Sequence, residues 1–263
     1  MKNCWLIGAS SGIGFELAKK LCANGYNVVI SSRSFENLSQ LKESILYDKN
    51  QSKNPHQFGE VHVEIVDVAS YENVKKSWQS ILNKFEKIDL AIFASALYER
   101  MNLENFDIDF AKKTMDVNFN GFLNFLHVIT PEFFKNKSGH IATIASVAGY
   151  RGLPQSFCYG ASKSAIINLC EGIYPELKAH NIDISIINPG FVKTRLTEKN
   201  NFDMPFIISA QEASDYIYKG LMAKKFEIHF PKKFTFILKF LRIIPYKFYL
   251  LLINKIYQKN ISK

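Results

Sequence analysis

Tyr159 and Lys163 stand four residues apart in the run Tyr159-Gly160-Ala161-Ser162-Lys163, and Ser146 precedes the tyrosine by thirteen positions. Side chains four apart share one face of a helix. A phenol, an ammonium and a hydroxyl grouped this way can deliver a proton to an oxygen. The phenol gives it, but a free phenol has a pKa of about 10. An ammonium beside it favours the phenolate and is expected to bring that value down. The serine hydroxyl is a neutral donor suited to polarising a carbonyl. A proton on oxygen is half of a carbonyl reduction; the other half is a hydride on carbon, which needs a cofactor. The run Gly8-Ala9-Ser10-Ser11-Gly12-Ile13-Gly14 offers it a place. Gly8 permits a tight turn, and Gly12 and Gly14 remove side chains where a pyrophosphate and a strand must come close. The helix that follows would present unpaired N–H groups to the anion.

These residues need elements to hold them. Short Val- and Ile-rich runs at 3–7, 27–31, 61–66, 89–94, 140–144, 183–187 and 226–230 read as strands. Helix-length segments lie between them, for example 13–23, 71–85, 120–134 and 155–179, and Ser209-Ala-Gln-Glu212 reads as a capping box opening a helix to about Met222. Strands alternating with helices predict an α/β fold: a Rossmann-type, doubly wound parallel sheet in a single domain. Residues 47–59, rich in Asn, Ser, Pro and Gly, read as a loop. Residues 1–230 are expected to form the cofactor-binding catalytic domain, and residues 231–263 a basic, amphipathic C-terminal helical extension.

The second strand ends Ile30-Ser31-Ser32-Arg33. A site that prefers NAD usually places an acid here for the ribose 2′-hydroxyl. Arg33 in its stead suits the 2′-phosphate of NADP, so NADPH is expected to be preferred over NADH. Asp67-Val68 ends the third strand, where Asp67 can accept from an adenine amino group or cap the next helix.

The whole pattern resembles the short-chain dehydrogenase/reductase family, in the form that carries Tyr-x-x-x-Lys. The matching residues, in order, are Gly8, Gly12 and Gly14, then Asp67, Asn118 in Val-Asn-Phe-Asn-Gly, Ser146, Tyr159 with Lys163, and Pro189-Gly190 with Thr194. They run from about residue 2 to residue 230. The resemblance implies an NADP(H)-dependent oxidoreductase acting on a small carbonyl or alcohol. It implies that Lys163 also holds the nicotinamide ribose, and that Asn118 holds a water resupplying the proton. By the same resemblance, backbone near Ala94 meets the cofactor ribose, while Val192 and the Thr194 hydroxyl meet the nicotinamide carboxamide. One departure stands out. Where the family commonly has Asn-Asn-Ala-Gly after the fourth strand, this chain has Phe93-Ala94-Ser95-Ala96.

Composition sets the remaining bounds. With 47% hydrophobic and 22% charged residues over 263 positions, the chain can bury a sizeable core. Four scattered cysteines read as core residues of a reducing compartment, and the histidines lack ligand spacing, so no metal is expected. The first residues read as a strand and not as a signal peptide, which predicts a cytoplasmic protein. The net charge of +9 is uneven. Residues 219–263 hold ten lysines and one arginine against Glu227, or +10, leaving −1 for residues 1–218. Residues 195–209, with Leu196, Phe202, Met204, Pro205 and Phe206, are expected to lid an apolar substrate. Beyond Pro231 cations alternate with Phe, Leu and Ile, the pattern of a helix lying in a membrane interface, here on the inner face. The alternative is an arm over the cleft or over a neighbouring subunit, and a homo-oligomer is compatible with the sequence. Nucleic acid is not expected as a partner, since the aliphatic residues between the charges would be left exposed. The alternative to catalysis is a membrane-docked protein that binds NADP(H) and regulates without turnover.

Overall fold

Strands buried on both faces make the frame. In the computed structural model, which describes residues 1–200 and 202–261, seven parallel strands form one sheet. They are β1 (Lys2–Ile7), β2 (Tyr26–Ser32), β3 (Val61–Ile65), β4 (Leu90–Phe93), β5 (Gly139–Ile144), β6 (Ile182–Pro189) and β9 (Glu227–Phe230), in the order β3-β2-β1-β4-β5-β6-β9. Two short strands, β7 (Val192–Lys193) and β8 (Ile208–Ser209), pair separately and tie the two ends of the segment between them. Asn201 of the expected lid, and Ser262 and Lys263 of the tail, lie outside the described residues.

Alternation along the strands feeds two cores. Cys4 and Leu6 of β1 face α1 (Gly12–Ala23), α2 (Phe35–Gln51) and α7 (Ala210–Met222), meeting Leu17, Leu41 and Ile217. Trp5 and Ile7 face α3 (Tyr71–Lys84), α5 (Gly121–Asn136) and α6 (Phe157–Ala179). There Trp5 stacks on Trp78 at 5.3 Å, and Phe93 joins Phe122 and Phe125 at 5.5 and 5.7 Å. Helices on both faces of a parallel sheet leave its C-terminal edge as the natural crevice, at the point between β1 and β4 where strand order reverses.

Two features depart from the sequence reading, and a third bears on an alternative it left open. Residues 47–51 continue α2, because Leu38, Leu41 and Ile45 recur at helical spacing and carry the helix past its polar end; Pro55–Gln57 forms a 3-10 turn within the expected loop. Helix α4 (Ile108–Met115) runs through a π-helical turn, Asp116–Asn120, into α5. At the C-terminus, α8 (Lys232–Ile243) and α9 (Tyr246–Ile261) fold back onto the body, with Thr235 and Tyr249 buried. No described helix is long and apolar enough to cross a membrane.

Candidate active site

A cleft of about 1070 Å³ opens at the C-terminal edge of the sheet. Its floor at one end is the turn between β1 and α1. Gly8 has φ +88°, and a Cβ there would lie 2.5 Å from the backbone of Ala94 across the crevice. A Cβ on Gly14 would lie 2.2 Å from the Gly8 carbonyl. The turn is held by Gly8 and Ala9 N–H groups donating to Ser31 O at 2.7 and 3.2 Å. Helices α2, α3, α4 and α7 are capped: the Ser34, Ser70, Asp107 and Ser209 side chains each accept from their own first turn, whereas α6 starts at Ser156 without a side-chain cap. Ser11, at the N-cap of α1, makes no such bond, and no acid occupies that first turn. A close-fitting glycine cradle with an uncapped helix start fits a dinucleotide pyrophosphate.

Along this end Ser10, Ser11, Gly12, Ile13, Arg33, Asp67, Val68, Ala94, Val192 and Thr194 all line the cleft. Arg33 is exposed and has no acidic partner among the described residues. The carboxylate of Asp67 accepts from Ala69 N at 3.1 Å, while Ser70 caps α3, so the capping alternative for Asp67 does not hold. Thr194 sits over Gly12, where a Cβ would approach its methyl group to 2.9 Å. The Thr197 hydroxyl, bonded to Val192 O at 2.7 Å, fastens that loop.

Ser146, Tyr159 and Lys163 meet in the middle of the cleft. Ser146 opens a 3-10 turn, Val147–Gly149, that lies directly on α6: a Cβ on Gly149 would come within 2.7 Å of the Lys163 backbone. The Ser146 hydroxyl accepts from Ala148 N at 3.1 Å and lies near enough to the Tyr159 phenol to favour its ionised form. Lys163 is fully buried, its Nζ donating to Ile144 O at 2.7 Å and standing 5.6 Å from the Tyr159 ring centre. Desolvation pulls the Lys163 ammonium down to about 7. Desolvation likewise pushes the Tyr159 phenol up to about 12, with the Ser146 hydroxyl opposing it and Tyr98 adding to it. This corrects the expectation that the lysine lowers the tyrosine. Burial weakens the cation that would have done so, and its proton points at a carbonyl oxygen instead.

Asn118 is the one expected site residue that does not line the cleft. It is buried in the π turn, where its Oδ1 accepts from Leu97 N at 2.6 Å and its Nδ2 donates to Leu97 O and Ser162 Oγ, each at 3.0 Å. Ser162 in turn donates to Tyr159 O at 2.7 Å. Asn118 thus ties the Ala94–Leu97 segment to α6, bracing a stretch that lacks the family's own asparagines.

The other end of the cleft is built from side chains that no motif announces. Tyr98 packs edge-on against Tyr159 at 5.0 Å and donates to Asn200 at 2.9 Å. Arg100 Nε donates to Gln155 Oε1 at 2.7 Å, and its guanidinium lies 5.5 Å from the Phe202 ring centre. Phe234, Leu238 and Ile256 of the C-terminal helices complete the wall. The only sequence signal for Tyr98 and Arg100 was their place just after β4, at the C-terminal edge where such folds bind ligands.

The model of a family described as short chain dehydrogenase matches residues 2–205. The chain is 27% identical over 246 residues to an uncharacterized oxidoreductase of Myxococcus xanthus, covering 93% of both. It is 30% identical to dehydrogenase/reductase SDR family member 7B of Xenopus tropicalis over 73% of this chain and 61% of that protein. Among solved structures, a short chain dehydrogenase/reductase from Burkholderia phymatum in complex with NAD superposes with TM-score 0.77 at 20% identity, over 87% of this chain and 88% of that one. An alcohol dehydrogenase of Thermococcus sibiricus complexed with 5-hydroxy-NADP gives 0.76 at 20%, over 88% and 96%. These two likenesses concern the fold.

Proposed function

The chain belongs to the short-chain dehydrogenase family of oxidoreductases, and from that premise we propose that it reduces the carbonyl of a hydrophobic substrate with NADPH. The observation that carries this reading is the meeting of Ser146, Tyr159 and buried Lys163 in one cleft, at the junction of a glycine cradle and an apolar end. A bound nicotinamide cofactor would supply the hydride. Gly8, Ser10, Ser11, Gly12, Ile13 and Gly14 would receive its pyrophosphate, Arg33 a 2′-phosphate, and Asp67 with Val68 the adenine. Ala94, Val192, Thr194 and Lys163 would hold the nicotinamide half.

Ser146 polarises the carbonyl and Tyr159 gives its oxygen a proton. A phenol pushed up to about 12 keeps that proton at neutral pH until the carbonyl oxygen takes it. Asn118 acts through Leu97 and Ser162, as a positioning residue. We also assign residues 1–230 to the catalytic domain and 231–263 to an extension that meets the cytoplasmic face of a membrane. The test is a screen of hydrophobic ketones and aldehydes with purified protein, followed by NADPH absorbance. Consumption that requires a carbonyl, and is faster with NADPH than NADH, supports the assignment. No consumption with any carbonyl would leave the non-catalytic, cofactor-binding reading.

A further inference from the structure

The C-terminal helices have two working faces. Inward, Phe234 stacks on Phe191 at 5.4 Å and lies flush on Gly190, where a Cβ would meet its ring at 2.7 Å. With Leu238 and Ile256 it walls the substrate end of the cleft. The helices are fastened there. Arg151 donates to Ile244 O at 2.6 Å at the end of α8, its guanidinium lies 3.8 Å from the Tyr249 ring centre, and Glu227 holds Lys239. Outward, Phe236, Phe240 and Ile243 follow one another at helical spacing and are 58%, 61% and 75% exposed; Phe248 and Leu251 of α9 are 61% and 64% exposed. Single exposed apolar residues are ordinary, but a continuous face of them marks a partner.

Charge identifies the partner. From Ile228 onward the chain has seven lysines, one arginine and no acid. Lys232, Lys233, Lys247 and Lys255 have no carboxylate partner among the described residues. A second copy would offer a body of net charge −1 over residues 1–218, a poor match for eight cations. An anionic bilayer matches both the cations and the apolar side chains between them.

We infer that α8 and α9 lie in the interface of an anionic bilayer, and that the cleft they wall takes an acyl-chain-bearing carbonyl compound directly from that bilayer. The substrate half of this inference rests on the reductase reading. The bilayer half does not.

The experiment uses full-length protein with NADPH, and vesicles of phosphatidylcholine with or without phosphatidylglycerol. The vesicles carry a long-chain methyl ketone with a diazirine in its chain. Wild-type protein should sediment with the anionic vesicles alone, and salt should release it. Photolysis should label peptides bearing Phe234, Leu238 or Ile256. A variant with Phe236→Ser, Phe240→Ser and Leu251→Ser alters exposed positions outside the cleft. It should lose roughly tenfold or more in vesicle affinity and in labelling, while consuming NADPH with a water-soluble ketone as wild type does.

Wild-type protein left in the supernatant at low salt overturns the inference. So does cleft labelling that is equal in the variant. Protein that stays in the supernatant yet reduces soluble ketones refutes the bilayer and leaves the reductase. Protein that sediments and is labelled, yet never consumes NADPH, supports entry from the bilayer and refutes the reductase.

Discussion

The two ends of the cleft are made of different material. At the β1–α1 end the surface is backbone: glycines that admit no Cβ, and N–H groups at a helix start without a cap. At the far end it is side chains, brought from the loop after β4, the segment after β5, the lid and the last two helices. A backbone surface tolerates few sequences, since the clash from a Cβ is steric and local. A side-chain surface tolerates many, because one apolar group can replace another. On the proposed function, the first end would recognise something invariant in shape, and the second would set this chain's specificity.

The largest expected effect comes from removing the group where the two ends meet. Tyr159→Phe keeps the ring that packs on Tyr98 and deletes the proposed proton donor. Turnover with the best carbonyl should fall by a factor of roughly 10²–10⁴. NADPH affinity should hold within a few-fold, because the cradle is untouched. Activity surviving within a few-fold would mean that another group protonates the oxygen.

The next effect sharpens the comparison from the cofactor end. Arg33 is exposed and has no acidic partner among the described residues, so Arg33→Ala disturbs little of the fold. A lost charge-assisted contact is worth about 1.5–3 kcal/mol, which predicts a tenfold or greater loss for NADPH and almost none for NADH. Equal losses in fluorescence titrations of the two cofactors would remove Arg33 from the 2′-phosphate. Gly14→Ala tests the backbone claim itself. Its Cβ would lie 2.2 Å from the Gly8 carbonyl, and relief of such overpacking costs about 1–3 kcal/mol. Both cofactors should weaken together and Tm should drop. Gly172→Ala, with nothing within 4 Å, should leave binding unchanged.

The same contrast explains what could be read in the sequence. Seven strands, the glycine turn and the Ser146–Tyr159–Lys163 set were legible because each rests on local spacing. Tyr98, Arg100 and Gln155 were not, since the Arg100–Gln155 bond spans 55 positions and the Tyr98–Asn200 bond 102. The state of Tyr159 was misread because residue types give charge but not burial, and here desolvation outweighs the neighbouring cation. Asn118 was legible as a position; its link to Leu97 depends on a π turn that no residue pattern marked. The tail was readable as amphipathic. That it walls the cleft with one face while baring the other depends on Arg151, Glu227 and Tyr249 fastening it, contacts that span up to 97 positions.

The smallest expected effect concerns that fastening, and it should respond to acid. His229 is buried on β9, 2.6 Å from the Thr235 hydroxyl of α8. Desolvation, with Lys239, Lys232 and Lys225 nearby and Glu227 opposing, pulls it down to about 4. An unfolded histidine titrates at about 6.5, so between that value and about 4 the unfolded chain binds the extra proton and stability falls as pH falls. Glu227 acts in the same sense. Burial raises its carboxyl, but hydrogen bonds from Lys239, Tyr150 and Asn188 outweigh this and hold it below the ordinary range. Its contribution is present above the unfolded carboxyl value and lost as pH drops through the folded one. His140, also drawn down to about 4 by burial, lies inside the sheet on Ser185 and weakens the whole body over the same window. Between about pH 7.5 and about pH 5 only the two histidines act, one at the joint and one in the sheet; Glu227 adds its loss to the joint only once the pH falls below the ordinary carboxyl value of about 4.3, and there the tail should yield first. Moving from about pH 7.5 to about pH 3.5 should therefore lower the protection of α8 amides more than that of β5. Glu227→Gln should reproduce part of the loss at the higher pH. Hydrogen exchange that falls in parallel for α8 and β5 would mean that the tail and the sheet are one cooperative unit, and that acid does not distinguish the side-chain end of the cleft from the rest.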